Sequence, residues 1–177
     1  MIAFALFATS IGPCAIAWGE RGIAGLQLPE VNEGATRARM LRRYPKAREH
    51  GPSHEAERAV FGIRRLLDGE PSDLSIITLD MTAVPDFDRR VYEVARTIPP
   101  GDTATYGEIA ARVGDLGLSR AVGQALGRNP FALIVPCHRV LAVGGAGGFS
   151  AAGGVATKRR LLEIEGARAL HPTLPGL

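Results

Sequence analysis

Apolar positions in the first third of the chain fall in short runs, at residues 3–8, 14–18 and 23–28, separated by Gly, Pro and charged turns. Runs of that length between turn formers predict a meander of strands, and so a small antiparallel sheet. The period then lengthens. Thr36 to Arg43 predicts a short arginine-rich helix, and His54 to Leu67 sets Ala59, Val60, Ile63, Leu66 and Leu67 at helical spacing, with Gly69 as the stop. Leu74 to Leu79 returns to a strand-like composition.

From Pro85 onward the pattern is helical. Phe87 to Ile98 carries Phe87, Val91, Val94 and Ala95 on one face and ends at Pro99-Pro100-Gly101. Thr105 and Glu108 make a Thr-x-x-Glu capping box, opening a helix with Ile109, Ala110 and Val113 inward and Gly114 as terminator. After a glycine-bearing turn, Ser119 is placed to cap a helix whose apolar face is Ala121, Val122, Ala125 and Leu126, ending at Gly127. Two short helices with a tight turn resemble a helix-turn-helix, although such pairs are also ordinary packing units. Arg120 falls in the first turn of the second helix, where the macrodipole disfavours a cation by a few tenths of a kcal/mol or more. Such a side chain either projects into screening solvent or serves an anionic partner. The expectation is an α+β (α/β) protein in two parts. Residues 1–85 would form a small antiparallel sheet with helices, and residues 86–177 a mostly helical domain with a winged-helix-like helix-turn-helix.

Composition narrows the class. A chain of 177 residues that is 46% hydrophobic and 22% charged matches a soluble globular protein. No apolar run reaches the roughly 18 residues of a membrane span. The apolar start, Met1 to Ala8, lacks a basic leader segment and is soon broken by Gly12 and Pro13, so a buried strand and a cytoplasmic location are expected. Two distant cysteines, Cys14 and Cys137, read as free thiols of a reducing compartment. Histidine and cysteine show no paired metal-ligand spacing, so no metal is expected. The glycine-dense stretch 144–154 has neither Rossmann nor Walker spacing, which argues against a nucleotide cofactor. A formal charge of +3 with a pI near 9.2 leans toward an anionic partner. Arginines 37, 39, 42 and 43 fit either a solvated helix face or phosphate contacts.

One constellation carries chemistry. Phe131 to Val135 is a continuous apolar run between Pro130 and Pro136, which reads as a buried segment delivering Cys137 to its end. His138 and Arg139 follow at once. A thiol beside imidazole and guanidinium can have its pKa lowered, and the thiolate is the nucleophile. In an extended segment the side chains of residues 137 and 138 point to opposite sides. Either the backbone bends after Pro136, or a water bridges the two groups. The bland alternative is an inert buried cysteine beside a surface histidine.

The run Ile-Val-Pro-Cys-His-Arg-Val (134–140), preceded by Arg-Ala-Val-Gly-Gln-Ala-Leu-Gly-Arg-Asn-Pro (120–130), resembles the active-site signature of the O6-alkylguanine-DNA alkyltransferases, or methylated-DNA–protein-cysteine methyltransferases. The likeness runs from about Phe87 through Gly166. It includes Thr-Tyr-Gly-Glu-Ile-Ala (105–110), Gly-Gly-Phe-Ser (147–150) and Leu-Leu-Glu-Ile-Glu-Gly (161–166), while the first 85 residues match loosely. The resemblance implies direct-reversal DNA repair by a single-use protein. Cys137 would accept the alkyl group from O6-alkylguanine in double-stranded DNA, with O4-methylthymine a second candidate lesion and no cofactor. His138 would draw the thiol proton through a bound water while Glu165 holds the histidine, and Asn129 would brace the bend ahead of the cysteine. Tyr106 would bond the flipped base or press on the 3′ phosphate, Ser150 would donate near O6, and the carbonyls of Cys137 and Val140 would read the guanine amino group. Arg120 would fill the gap left by the extruded base. Ala121, Gly123, Gln124, Ala125 and Arg128 would complete the contact with the minor groove.

Phe149 stands where many relatives carry tyrosine, and the loop Ser150 to Gly154 is longer than in some of them. A monomer is expected, with cooperativity on DNA left open. Two other functions fit parts of the pattern: a protein that flags alkylated DNA without accepting the alkyl group, and a cysteine hydrolase built on Cys137, His138 and Glu165.

Overall fold

The computed structural model describes residues 1–170. In chain order its elements are β1 (Ala3–Thr9), β2 (Gly12–Gly19), β3 (Gly22–Gln27), α1 (Glu33–Arg43), β4 (Arg48–Glu49), α2 (His54–Leu67), α3 (Asp86–Ala95), β5 (Ala104–Thr105), α4 (Tyr106–Val113), α5 (Ser119–Gly127), β6 (Val140–Leu141) and α6 (Gly154–Ile164). The architecture is α+β, as the sequence pattern predicts.

The three-strand meander is present, but the sheet is mixed rather than antiparallel. Its order is β3-β2-β1-β4, and β4 runs parallel to β1. β4 consists of Arg48 and Glu49, two exposed residues with no apolar alternation to announce them. Backbone bonds from Arg48 N to the Ile2 carbonyl (3.2 Å) and from His50 N to the Phe4 carbonyl (3.0 Å) hold it. β2 is buried on both faces over Cys14 to Ala17. Ala15 and Ala17 pack with Phe4 and Met40 of α1, while Cys14 and Ile16 face α2 and the C-terminal helices. A strand covered on both sides reads as a continuous apolar run, and this one does.

Helix ends follow their caps. α1 starts at Glu33, three residues before the predicted Thr36, because the Asn32 side chain accepts from Ala35 N and Arg37 reaches back to Glu33. α2 has the predicted bounds, capped by Ser53. α3 stops at Ala95, short of Ile98, because Thr97 N and Ile98 N bond carbonyls only three residues back, those of Val94 and Ala95 (both 3.1 Å), tightening the last turn ahead of Pro99. Leu74 to Leu79 is not a strand. The Asp73 side chain caps Ser75 N at 2.9 Å and forces a 3-10 turn over Leu74–Ile76, leaving one bridge from Leu79 to Ile23.

The capping box at Thr105 and Glu108 is formed in both directions, and Gly114 ends α4. Ser119, expected to cap α5, lies inside it and donates to the Leu116 carbonyl at 2.8 Å. Capping moves upstream to Asp115, which accepts from Gly117 N at the head of a 3-10 turn, Leu116–Leu118, that runs into α5. One apolar cluster then joins Ile16, Ile23 and Leu26 of the sheet to Ile63, Tyr92, Val122, Phe131 and Leu161. Phe131, almost fully buried, meets the Tyr92 ring edge-on at 6.4 Å. Emptying such a position costs about 3–5 kcal/mol, so the segment that leads to Cys137 is anchored in the core.

Candidate active site

The apolar run Phe131 to Val135 is a compact turn rather than a strand. Leu133 takes a left-handed backbone conformation (φ 68°), and Val135 N bonds the Phe131 carbonyl at 2.8 Å. A non-glycine residue there costs about 1–3 kcal/mol and persists only if its surroundings hold it. Asn129 does so: its Oδ1 accepts from Phe131 N (2.8 Å), and its Nδ2 donates to the Val135 carbonyl (2.9 Å) and to Cys137 Sγ (3.3 Å). Outside the turn, Leu26 N of β3 bonds the Pro130 carbonyl at 2.8 Å.

The backbone does bend after Pro136. Cys137–Arg139 is a 3-10 turn, so consecutive side chains diverge at a turn's angle and do not alternate as on a strand. His138 is fully buried, far from the surface position of the bland alternative. Its Nε2 lies 2.7 Å from Glu165 Oε1. Arg139 forks the same carboxylate through Nε (2.9 Å) and Nη2 (2.8 Å) and donates from Nη1 to the Ile98 carbonyl (2.6 Å). Burial pushes the Glu165 carboxyl up, but the bonds and charges of His138 and Arg139 outweigh it and hold the group at about 2. The carboxylate is therefore ionised at neutral pH. Burial pushes His138 down, against the pull of Glu165. A neutral imidazole facing a carboxylate donates its Nε2 proton to it, which leaves Nδ1 as the basic lone pair. Nδ1 is buried with no hydrogen-bond partner among the described residues.

Cys137 is itself largely buried, and burial pushes its thiol up. The Asn129 amide, the charge of Lys158 and the backbone N–H groups of Cys137 and His138 act in the opposite direction. Arg139 is committed to Glu165, so the expectation that it lowers the thiol pKa directly gives way to these other groups. Lys158 is fully buried, with Nζ donating to the carbonyls of Val140 (2.6 Å) and Gly148 (3.1 Å), 3.5 Å from the Tyr106 hydroxyl and 5.6 Å from that ring's centroid. Desolvation brings its pKa down to about 8. Lys158 is absent from the residues that the sequence motifs bring forward, and the bond of Arg139 to Glu165 is not foreseen there either. A signal existed for Lys158: with Leu161, Leu162 and Glu165 it occupies positions i, i+3, i+4 and i+7, one inward stripe along α6.

Cys137 opens onto a cavity of about 450 Å³ lined by Tyr106, Gly123, Leu126, Gly127, Gly148, Phe149 and Ser150. Tyr106, at the start of α4, has its ring against Gly147, which takes φ 74°. A Cβ at Gly147 would lie 2.9 Å from the Tyr106 hydroxyl, so the loop passes here only as glycine. The Val140 carbonyl accepts from Lys158 Nζ and keeps a second lone pair, and Val140 stands outside the lining of this cavity.

On α5, Arg120 and Gln124 are exposed and Ala121 and Gly123 half-buried. Ala125 is fully buried, and its carbonyl accepts from the Tyr92 hydroxyl at 2.8 Å. It serves helix packing and cannot line a groove. Arg128 sits at the C-cap, ion-paired to Asp88. In α1, Arg37 pairs with Glu33 and Glu49 and Arg39 with Glu30, while Arg43 reaches the Pro130 carbonyl.

The 6-O-methylguanine DNA methyltransferase, DNA binding domain, matches residues 86–167. The methylated-DNA–protein-cysteine methyltransferase of Methanothermobacter thermautotrophicus is 38% identical over 152 residues, covering 85% of this chain and 78% of the relative. The crystal structure of Mycobacterium tuberculosis O6-methylguanine methyltransferase superposes with a TM-score of 0.75 at 33% identity, covering 94% of this chain and 93% of that one. That of Mycobacterium tuberculosis OGT in complex with DNA gives 0.76 at 32% identity, covering 93% and 92%. A buried thiol on the floor of a cavity, backed by an ordered His-Glu pair, thus sits in a chain whose sequence and fold both match over most of its length: it belongs to the methylated-DNA–protein-cysteine methyltransferase family.

Proposed function

We propose that this protein repairs DNA by direct reversal, moving the alkyl group of O6-alkylguanine onto Cys137 once per molecule. The observation that carries the reading is the thiol itself: Sγ lies at a cavity floor within reach of Asn129 Nδ2, beside a neutral histidine whose tautomer Glu165 fixes. The thiol proton passes to His138 Nδ1, relayed by a water. The thiolate then attacks the alkyl carbon in line, so that the S–C bond forms as the C–O6 bond breaks. The electron pair leaves on guanine, which takes up one proton as it is released. The product is a thioether, a poor leaving group, so the reaction stops after one transfer.

A base in a stacked duplex cannot reach this floor. Extrusion costs a few kcal/mol, least at a damaged pair. Arg120, exposed at the head of α5, enters the gap from the minor groove, with Ala121, Gly123 and Gln124 along the approach and Arg128 at the far end. Tyr106 and Ser150, which both line the cavity, meet the extruded base there. Lys158, held under Tyr106, places a positive charge where negative charge collects. A hydrolase reading is disfavoured because the side-chain partner of Sγ is Asn129, not His138.

The test is transfer of labelled methyl from duplex DNA containing O6-methylguanine. One label per protein molecule is expected, and none for Cys137→Ala. Undiminished transfer by that variant, or many turnovers per molecule, would sink the assignment.

A further inference from the structure

α5 carries an arginine at each end, and the fold treats the two differently. Arg120 is exposed in the first turn. Arg128, at the C-cap, donates from Nε to Asp88 Oδ2 (3.1 Å) and from Nη2 to Asp88 Oδ1 (2.8 Å). The pair is lopsided: the Asp88 side chain is 4% exposed and that of Arg128 57%. Asp88 lies in the first turn of α3, where the macrodipole favours an anion. Even so, desolvating a carboxylate to pair it with a largely solvated guanidinium returns little net stability. What the pair does supply is direction.

A planar guanidinium has two forked edges. Asp88 occupies the Nε/Nη2 edge, which turns the Nη1/Nη2 edge away from the protein, and that edge suits bidentate contact with a phosphate. Arg120, Gln124 and Arg128 are spaced by four and are all exposed, so they line one face of the helix over about 12 Å. Next to Arg128, a Cβ added at Gly127 would meet nothing within 4 Å, so a backbone could approach there. The Tyr92 hydroxyl, also from α3, bonds the Ala125 carbonyl and fixes this end of the helix.

We propose that Asp88 is a positioning residue that holds Arg128 as a phosphate clamp for duplex DNA at the C-terminal end of α5. The proposal rests on the DNA-repair reading above. It makes an inverted prediction. Deleting an acidic group beside a DNA-binding face should tighten binding if charge alone matters, whereas loss of the clamp's orientation weakens it.

The measurement is affinity of the full chain for undamaged duplex across a salt series, where phosphate contacts are read without reaction. Asp88→Ala is expected to weaken binding about fivefold, or roughly 1 kcal/mol. Arg128→Ala should weaken it further and lower the salt slope by about 0.9, one phosphate contact. Arg128→Lys keeps the charge but not the fork and should recover only part of the loss. In the Arg128→Ala background, Asp88→Ala should weaken binding no further. Asp88→Asn, of nearly the same shape and checked by thermal melting, carries the same expectation at smaller size if the alanine variant does not fold. Unchanged or tighter binding by the Asp88 variants overturns the proposal, as does a loss that persists without Arg128. A wild-type protein with no salt-dependent affinity for duplex would overturn the DNA reading along with it.

Discussion

The surroundings of the two cysteines differ in one respect that matters. Cys14 is fully buried and Cys137 only 9% exposed, and burial pushes both thiols up, Cys14 to about 12. Desolvation therefore does not separate an inert thiol from a reactive one. Cys14 has one polar contact among the described residues, Thr9 Oγ1 at 3.8 Å, and otherwise packs in the core between the sheet and α2. Around Cys137 the protein has gathered an amide donor, a buried ammonium, two backbone N–H groups and an opening, with a base and its orienting carboxylate behind. A buried thiolate is affordable only where such groups await it. The lesson is that reactivity here is a property of the region, built by Asn129, His138, Lys158 and Glu165 from three separate parts of the chain.

The strongest way to break the contrast is to disable that region and leave the thiol alone. In Glu165→Gln, His138 loses the anion that fixes its tautomer and Arg139 loses its counter-ion. Single-turnover transfer should fall by about 100-fold, in the range of lost acid-base and orienting groups. The same variant has a pH signature. Glu165 has its folded pKa depressed from 4.5 to about 2, so its stabilisation is present above pH 4.5 and lost as pH falls toward 2. That window is worth about 3 kcal/mol. Denaturant melts should show a steeper acid loss in the wild type than in Glu165→Gln, and parallel curves would mean that the ion pair is not what holds the carboxylate down.

A smaller effect separates the opening from the chemistry. Arg120→Ala leaves the wall of the cavity intact, since Arg120 is not among its lining residues. Transfer from a lesion in duplex should slow by about tenfold, from lost support of the extruded base, and by much less with free O6-benzylguanine. Equal losses on both substrates would refute the base-displacement role.

Much of this was legible in the sequence for stateable reasons. The capping box at Thr105 and Glu108, the period of α2 and the order Cys137-His138 with a distant Glu165 are local or motif-like, and the structure brings the last three together. What escaped was set by tertiary contact. Phe131 to Val135 has the composition of a strand but is folded into a turn by one Asn129 side chain, which propensity cannot weigh. β4 is two polar residues paired through backbone alone. Ala125 looked like a small groove-facing residue because small side chains suit both close DNA approach and close helix packing; its burial against α3 decides for packing. Asp88 and Arg128 are 40 residues apart, and nothing in either neighbourhood announces the pair.

The smallest effect is expected at the other thiol. Cys14→Ala removes one buried sulfur from β2 and touches none of the groups around Cys137. Labelled transfer should stay at one methyl per molecule with an unchanged rate, while the small cavity left behind costs about 1 kcal/mol. For a chain of this size that lowers Tm by roughly 2–4 °C. Cys14 lies in the cluster that also holds Phe131 and Val135, so the core could transmit a shift from the sheet to the active-site turn. Asn129 bonds that turn at both ends and the Cys137 thiol beyond it, which should hold the segment against a void in the sheet. A rate that falls together with Tm would show that the region around Cys137 depends on sheet packing, and the two cysteines would then be less separate than their neighbours suggest.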